Sequence, residues 1–525
     1  MKPHLLFRDR DFSPRWGMLL QSPYPNWWRD REFDSLWKML PPDKRMVTQD
    51  LGLDLLFTTM AREDRLIFEV AKNVVLMDGA DPGTVRYRQD ILRDCMKNPE
   101  IVRDLYRIST ESIDKYKKDI SWYSHQSADS IRSTSIQAVE LLVESLRKLR
   151  DLADEHAGAF ESEGFSQLFV SLDSALPDEY IASIRKTLGE LKLPHGACIS
   201  AGLGKGNNGT GYALQRYREM IKEGWFRRIF SKEPPSHYTF VIADRDTTGY
   251  YALGELRDRG VNSLAGTLSR SSDHLLQYLI ALRNELAFYL GCLNLSEQLA
   301  GTGRPVCFPE PCEPGTHAFM CTSLYDLCMA LTPGQGVTGN DVDADGMDLI
   351  VITGANRGGK STFLRSVGLA QLMMQAGSFV PAESFRSDVS TGLFTHFKRE
   401  EDHSMRSGKL DEELKRMSGI VDCLKPGSMV LFNESFAATN EREGSEISRQ
   451  IVCALLAKRI RVLFVNHLYE FSHGLYETGM GNALFLRAER KPDGERTFRM
   501  IEGEPLQTSY GEDLYRRIFS ETGMD

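Results

Sequence analysis

"MDLIVITGANRGGKSTFLRSVGLAQLMM", residues 347–374, is the stretch that organises the rest of the chain. Leu349 to Ile352 form an apolar run short enough for one buried strand, and Phe363, Leu364 and Val367 continue at helical spacing. Between them Gly354, Ala355, Asn356, Arg357, Gly358, Gly359, Lys360 and Ser361 spell G-x-x-x-x-G-K-S, with Thr362 next. The spacing has a physical cause. Glycines let backbone N–H groups curl around phosphate oxygens, and the following helix turns its positive end toward them. Lys360 reaches the outer phosphates and the Ser361 hydroxyl ligates Mg²⁺. The strand–loop–helix setting predicts a nucleotide-binding α/β domain.

Such a loop needs a second strand that delivers an acid. "GSMVLFNESFAATNEREGSE", residues 427–446, runs from Met429 through Phe432 into Asn433 and Glu434. Glu434 is the candidate to polarise the attacking water. Asn433 stands where a carboxylate usually supports the metal, and its amide oxygen accepts a hydrogen bond without carrying charge. About thirty residues on, "RVLFVNHLYEF" is another apolar strand that ends in Asn466 and His467. A histidine at that strand end is placed to sense the γ-phosphate and orient water.

The bulk numbers set outer limits. At 525 residues the chain exceeds one hydrophobic core, and 41% apolar with 26% charged residues is ordinary for a globular protein. No apolar run approaches bilayer length, and "MKPHLLFRDRDF" puts charges inside what would be a signal core. The expected location is cytoplasmic or nucleoid-associated, away from membranes. Nine cysteines suggest no disulfide framework; Cys307, Cys312, Cys321 and Cys328 lie near His317 but include no C-x-x-C pair, so buried thiols are the expectation. A net charge of −9 means that any nucleic-acid surface must be local.

One local surface qualifies. The region from about 190 to 250 opens with "GACISAGLGKGNNGTGYAL", which alternates and turns like a hairpin. Gly204, Gly206 and Gly209 match G-x-G-x-x-G there, but without the strand–turn–helix setting they read as a tight turn. Lys205, Arg216, Arg218, Lys222, Arg227, Arg228 and Lys232 follow, opposed only by Glu219 and Glu223 and interleaved with Tyr217, Trp225, Phe226 and Phe230. These cations are the candidate DNA-binding residues. Two long amphipathic helices flank the insert, one carrying Ile136, Val139, Val143, Leu146 and Leu149, the other Leu275, Leu279, Leu282, Leu286 and Tyr289. The simplest pairing is antiparallel, with the insert looped out. The opening residues read as mostly helical behind a Trp/Pro-rich cap, "SPYPNWWRD".

Taken together, these motifs resemble the MutS family of DNA mismatch-repair ATPases. "TGANRGGKSTFLRSVGLAQLMMQAGSFVPAESF", "FTHFKREEDHSMRSGKLDEEL", "VNHLYEF" and "TSYGEDL" carry the resemblance from about 305 to 515. "TQDLGLDLLF" and "LRNELAFYLGCL" extend it upstream more weakly. The resemblance implies an α + α/β protein: residues 1–305 as core and lever helices with the clamp insert, and 306–525 as an ABC-type P-loop ATPase domain. It further implies ATP with Mg²⁺, metal contacts from Ser361 and Asn433, a homodimer, duplex, mismatched or branched DNA, and a downstream repair protein. Thr439 and Asn440 stand where the family's signature reaches the partner's γ-phosphate, with Asn440 in place of serine. Phe-x-Glu, the family's mismatch wedge, occurs only at Phe308, Phe432 and Phe519, each within the ATPase domain rather than a mismatch-reading one. The expectation is therefore a shortened relative with clamp and motor, hydrolysing slowly because Asn433 is neutral. The alternative is a nucleotide-gated adaptor that binds ATP and a protein partner without DNA.

Overall fold

A computed structural model describes residues 2–12, 40–120, 127–216, 240–399 and 408–507. The N-terminal part is helical: α1 (Pro42–Leu51), α2 (Leu53–Ala61), α3 (Arg65–Val75), α4 (Pro82–Lys97), α5 (Pro99–Asp119), α6 (Ala128–His156), α7 (Glu163–Ala175) and α8 (Asp178–Leu191). Side-chain oxygens start several of these helices. Asp64, Asp81, Ser127 and Ser162 each accept a first-turn N–H, satisfying donors that the helix itself leaves open. A hairpin of β1 (Cys198–Leu203) and β2 (Gly209–Gln215) follows, and then α9 (Thr247–Ala300), a helix of 54 residues capped by Asp246. At 1.5 Å per residue α9 is about 80 Å long. The Gly204–Gly209 stretch is the hairpin connection, with Gly206 at φ 70°, so the glycine pattern there is a turn.

The two long helices do not pair antiparallel as their stripes suggest. The Asp129 N–H donates to Asp258 at 3.0 Å and Arg257 meets the Asp129 carboxylate at 2.8 Å, so α6 begins beside the start of α9. Downstream of α6, the Ala159 carbonyl accepts from Asn98, at the start of α5. Arg103, one turn into α5, pairs with Glu297 near the end of α9. Hence α6 and α9 run in the same direction, away from the hairpin. The ascending elements are α5 and α8; α8 starts at Arg150–Asp178 (2.7 Å) and ends where Arg132 donates to the Leu191 carbonyl (2.6 Å). The stripes specify which faces pack. Direction is set by α7 and α8, which return the chain to the tip before α9 begins.

The second part is built on a six-stranded sheet of order β12-β11-β6-β10-β9-β8. Its strands are β6 (Leu349–Gly354), β8 (Leu393–Phe397), β9 (Met429–Asn433), β10 (Arg461–Val465), β11 (Ala483–Arg490) and β12 (Arg496–Glu502), all parallel except the β11–β12 pair. Ile350, Ile352, Leu431, Leu463 and Val465 join the core shared with the P-loop helix and the N-terminal helices. Leu349, Val351, Val430, Phe432, Val462 and Phe464 face the other way. Burial on both faces explains why these strands read as continuous apolar runs. A four-stranded mixed sheet, β3 (Glu310–Cys312), β7 (Ser384–Asp388), β4 (Phe319–Leu324) and β5 (Asn340–Asp343), lies alongside. Arg461, at the start of β10, ties it on through Asp388 (2.6 Å) and the Ala318 carbonyl (3.0 Å). Cys307, Cys312, Cys321 and Cys328 are free thiols around this sheet, Cys321 buried and the others partly so.

The remaining helices are α10 (Leu327–Leu331), α11 (Lys360–Ala376), α12 (Lys409–Val421), α13 (Glu441–Ala457) and α14 (Tyr469–Glu477). Helix α11 is buried nearly all round, and Gly368 within it lies so close to Leu431 and Leu51 that a Cβ would meet both side chains below 3.0 Å. Its exit meets the arm. Arg88 of α4, buried, donates to the Leu6 carbonyl (2.9 Å) and to the carbonyl of Ala376 at the end of α11 (3.3 Å). Glu285 and Tyr289 of α9 bond the backbone of Leu5 and Leu6. Residues 5–7 thus form a joint between the P-loop helix and the long helix. No helix among the described residues is long and apolar enough to cross a membrane.

Candidate active site

The site forms because three parallel strands end in one row. Ile352 of β6 is opposite Val465 of β10, which is opposite Asn433 of β9. The Glu434 N–H donates to the Val465 carbonyl (2.8 Å) and the Asn466 N–H to that of Ile352 (3.1 Å). Whatever follows each strand must therefore emerge at the same edge, the usual place for ligands in such sheets.

From β6 emerges the glycine loop. Gly354 has φ 106°, and a Cβ there would lie 2.8 Å from the Ala488 nitrogen on β11. Gly359, at φ 90°, is the residue from which α11 starts. Both positions demand glycine, one for space as well as conformation. Lys360 is buried; its Nζ donates to the carbonyls of Gly354 (2.9 Å) and Ala355 (3.0 Å). Burial lowers its pKa to about 8, opposed by the Glu434 carboxylate and assisted by the Arg496 charge. Asn356 and Arg357 are exposed on the loop, Gly358 is buried, and Arg357 takes the left-handed conformation at φ 58°.

From β9 and β10 emerge the polar partners. Ser361 Oγ donates to Asn433 Oδ1 at 2.8 Å, so the hydroxyl and the amide form one oxygen pair at the head of α11. His467 Nε2 lies 3.0 Å from Glu434 Oε1. That hydrogen bond is the leading reason why the Glu434 carboxyl is held below the usual carboxylate range; charge from His467, Lys398 and Lys360 adds to it against the desolvation cost. Asn466 uses its oxygen to accept from the Leu468 N–H (3.1 Å) and Ser472 Oγ (2.8 Å), fastening the first turn of α14. Hard oxygens of Ser361 and Asn433 beside a glycine cradle and a lysine suit a Mg²⁺–triphosphate, with one less negative charge than an aspartate would give.

Two of the sequence candidates stand apart from this cluster. Asn440 caps α13, its Oδ1 accepting from the Glu443 N–H at 3.0 Å, and Thr439 donates to the Glu443 carboxylate. Neither touches the glycine loop of its own chain. Of the candidate DNA contacts, Lys205 is exposed on the hairpin turn, and Arg216 is exposed just past β2 with Glu190 at 2.7 Å. Arg218, Lys222, Arg227, Arg228 and Lys232 lie outside the described residues, as do Tyr510 and Gly511.

The residues do not announce one further feature. A cavity of about 210 Å³ adjoins the loop, lined by Arg357, Gly359, Thr362, Phe363, Asn340 and Phe498 among others. Phe498 sits on β12 with φ 61° and is half-exposed. Its only sequence signal is an aromatic in an alternating strand, indistinguishable from an ordinary surface residue.

Two family models match this chain: the MutS2 N-terminal domain over residues 80–302 and MutS domain V over residues 350–517. The chain belongs to the MutS family. Its C-terminal part is a MutS domain V, an ABC-type ATPase domain, and the class uses ATP and Mg²⁺. Among curated MutS relatives, the DNA mismatch repair protein MutS of Leptospira interrogans is 30% identical over 185 residues, 34% of this chain and 22% of that protein. The MutS of Flavobacterium psychrophilum is 26% identical over 388 residues, covering 68% of this chain and 42% of its own length. MutS protein homolog 4 of Mus musculus is 33% identical over 149 residues, 28% of this chain and 16% of the relative. Each MutS match thus spans less than half of the relative.

Proposed function

We propose that this MutS-family protein is an ATP-driven DNA clamp that acts in DNA repair or recombination control and hydrolyses ATP slowly. One observation carries the reading: α9 runs unbroken from the joint at the end of the P-loop helix to the hairpin that bears Lys205 and Arg216. A helix of this kind transmits a rotation at one end as a displacement at the other, which couples two sites through one element. Residues 1–305 are then the arm, with the clamp at about 190–250, and 306–525 the motor.

In the motor, Gly354 to Thr362 cradle the phosphates and Lys360 neutralises the outer ones. Ser361 and Asn433 hold the metal's shell, and Mg²⁺ when bound offsets charge on the transferring phosphate. Glu434 polarises the attacking water, while His467, bonded to it, senses the γ-phosphate and orients that water. The Phe498 cavity takes the base. Thr439 and Asn440 act on the partner's nucleotide in a homodimer, a role consistent with their bonds to Glu443 at the start of α13.

Steady-state ATP turnover with homoduplex, mismatched and branched DNA tests the proposal, with Lys360→Ala as the blank. A DNA that changes the Lys360-dependent rate is expected, and the preferred structure names the substrate class. Turnover at the blank level with every DNA, together with retained ATP binding, transfers the reading to a nucleotide-gated adaptor for a protein partner.

A further inference from the structure

Behind Glu434 lies a buried polar cluster that the roles above do not use. Ser435 is fully buried, and its neighbours Glu434 (φ 52°) and Phe436 (φ 60°) are both left-handed without being glycine. Such backbone persists only where surrounding groups determine it. Here they are identifiable. Ser435 Oγ lies 2.7 Å from His396 Nδ1 and within bonding reach of the His396 carbonyl, its one proton serving either acceptor, and His396 Nε2 donates to the Glu413 carbonyl at 3.0 Å. The Phe436 N–H donates to Glu413 Oε2 at 3.0 Å, and the Phe436 ring stacks on His396 with centroids 5.1 Å apart. Gly444 leaves room for the Phe436 carbonyl, which a Cβ would approach to 2.5 Å. Strand β8 and helices α12 and α13 therefore all pack on the one three-residue turn that follows β9.

We propose that His396, Ser435 and Glu413 are positioning residues for Glu434: they hold the 434–436 turn in the left-handed geometry that sets the carboxylate against His467. The inference rests on reading Glu434 as the water-activating acid. None of the three bonds the glycine loop, so their loss acts on the chemical step and leaves nucleotide affinity in place. Relaxing either left-handed residue to the right-handed basin reorients the peptide groups on both sides of Ser435 and swings the Glu434 side chain off His467.

The test compares Glu413→Ala, Glu413→Gln and Ser435→Ala in the full chain. Lys360-dependent turnover is measured alongside the ¹³Cε1 resonance of His467 at fixed pH, with Glu434→Ala as the reference for lost contact. Glu413→Ala is expected to lower kcat by about tenfold to a hundredfold, the scale of a displaced catalytic group, with KM for ATP within about twofold. Glu413→Gln recovers most of the rate, because an amide oxygen still accepts the Phe436 N–H. The His467 resonance moves toward the Glu434→Ala position in Glu413→Ala and Ser435→Ala and stays in Glu413→Gln. An unmoved resonance in both Glu413→Ala and Ser435→Ala overturns the proposal. So does an equal rate loss in Glu413→Ala and Glu413→Gln accompanied by a lowered melting temperature, which marks a packing role. If the wild type shows no Lys360-dependent turnover, the hydrolytic reading of Glu434 fails separately, and the resonance still decides whether the cluster aims its carboxylate.

Discussion

Two side chains set the chemistry of the motor, Lys360 by its charge state and Asn433 by its missing charge. With its pKa lowered to about 8, Lys360 loses its proton at mildly alkaline pH, and incoming phosphates restore it. ATP binding above about pH 8 should therefore take up a proton, and uptake should vanish near pH 7. Calorimetry in two buffers of different ionisation heat reads this directly, and pH-independent uptake would count against the shifted lysine. Asn433 already bonds Ser361, so Asn433→Asp changes charge without changing reach. Turnover should rise severalfold to about tenfold, roughly 1.4 kcal/mol of barrier. An unchanged rate means that the neutral amide does not limit hydrolysis.

Among the elements, β8 joins the motor's interior to the arm through two buried polar sites. His396 in its middle is 1% exposed, and burial, with the Arg416 and Arg399 charges behind it, lowers its pKa to about 4. The unfolded chain binds this proton from about pH 6.5 downward and the folded one only near pH 4, so stability falls as pH drops through that window. The loss totals on the order of 3 kcal/mol. Urea midpoints between pH 7 and 4 should fall less steeply in His396→Phe than in the wild type; parallel slopes would remove the histidine from the acid response. Asp50 of α1 holds the same strand, accepting from Thr395 (2.7 Å) and Arg399 (2.9 Å). Asp50→Ala leaves Arg399 without that partner and should cost about 3 kcal/mol, the scale of breaking a buried ion pair. A urea midpoint equal to wild type would show that water or another acid replaces it.

For the whole molecule, the decisive quantity is stiffness along α9. Gly266 lies in its distal half, where an added Cβ would meet only the Arg270 guanidinium. A proline there removes a helix hydrogen bond and kinks the rod. Gly266→Pro should keep ATP turnover and DNA retention near wild type while abolishing the effect of DNA on turnover. Persistent coupling would mean that the signal bypasses α9. At the tip, Lys205→Glu with Arg216→Glu should weaken DNA retention and flatten its dependence on salt, as lost phosphate contacts require. Identical salt slopes would take the hairpin out of the DNA path.

What the sequence determined by itself is the local chemistry and the family. The glycine loop, the strand ending in Asn433–Glu434 and the strand ending in His467 are each contiguous, so backbone rules and spacing suffice to read them. The helical stripes likewise named buried faces: Val143, Leu146, Leu279 and Leu282 are all in the core. Direction and assembly came only with the tertiary structure. Whether α6 runs with or against α9 depends on how α7 and α8 return the chain, and a 3.6-residue period carries no such information. The joint of Leu6, Arg88, Ala376 and Tyr289 gathers residues up to hundreds of positions apart, and the grip of His396 and Glu413 on Ser435 and Phe436 joins separate elements of the motor. Those contacts depend on which strands lie side by side and in what register, and that is settled by packing of the whole core rather than by any segment alone.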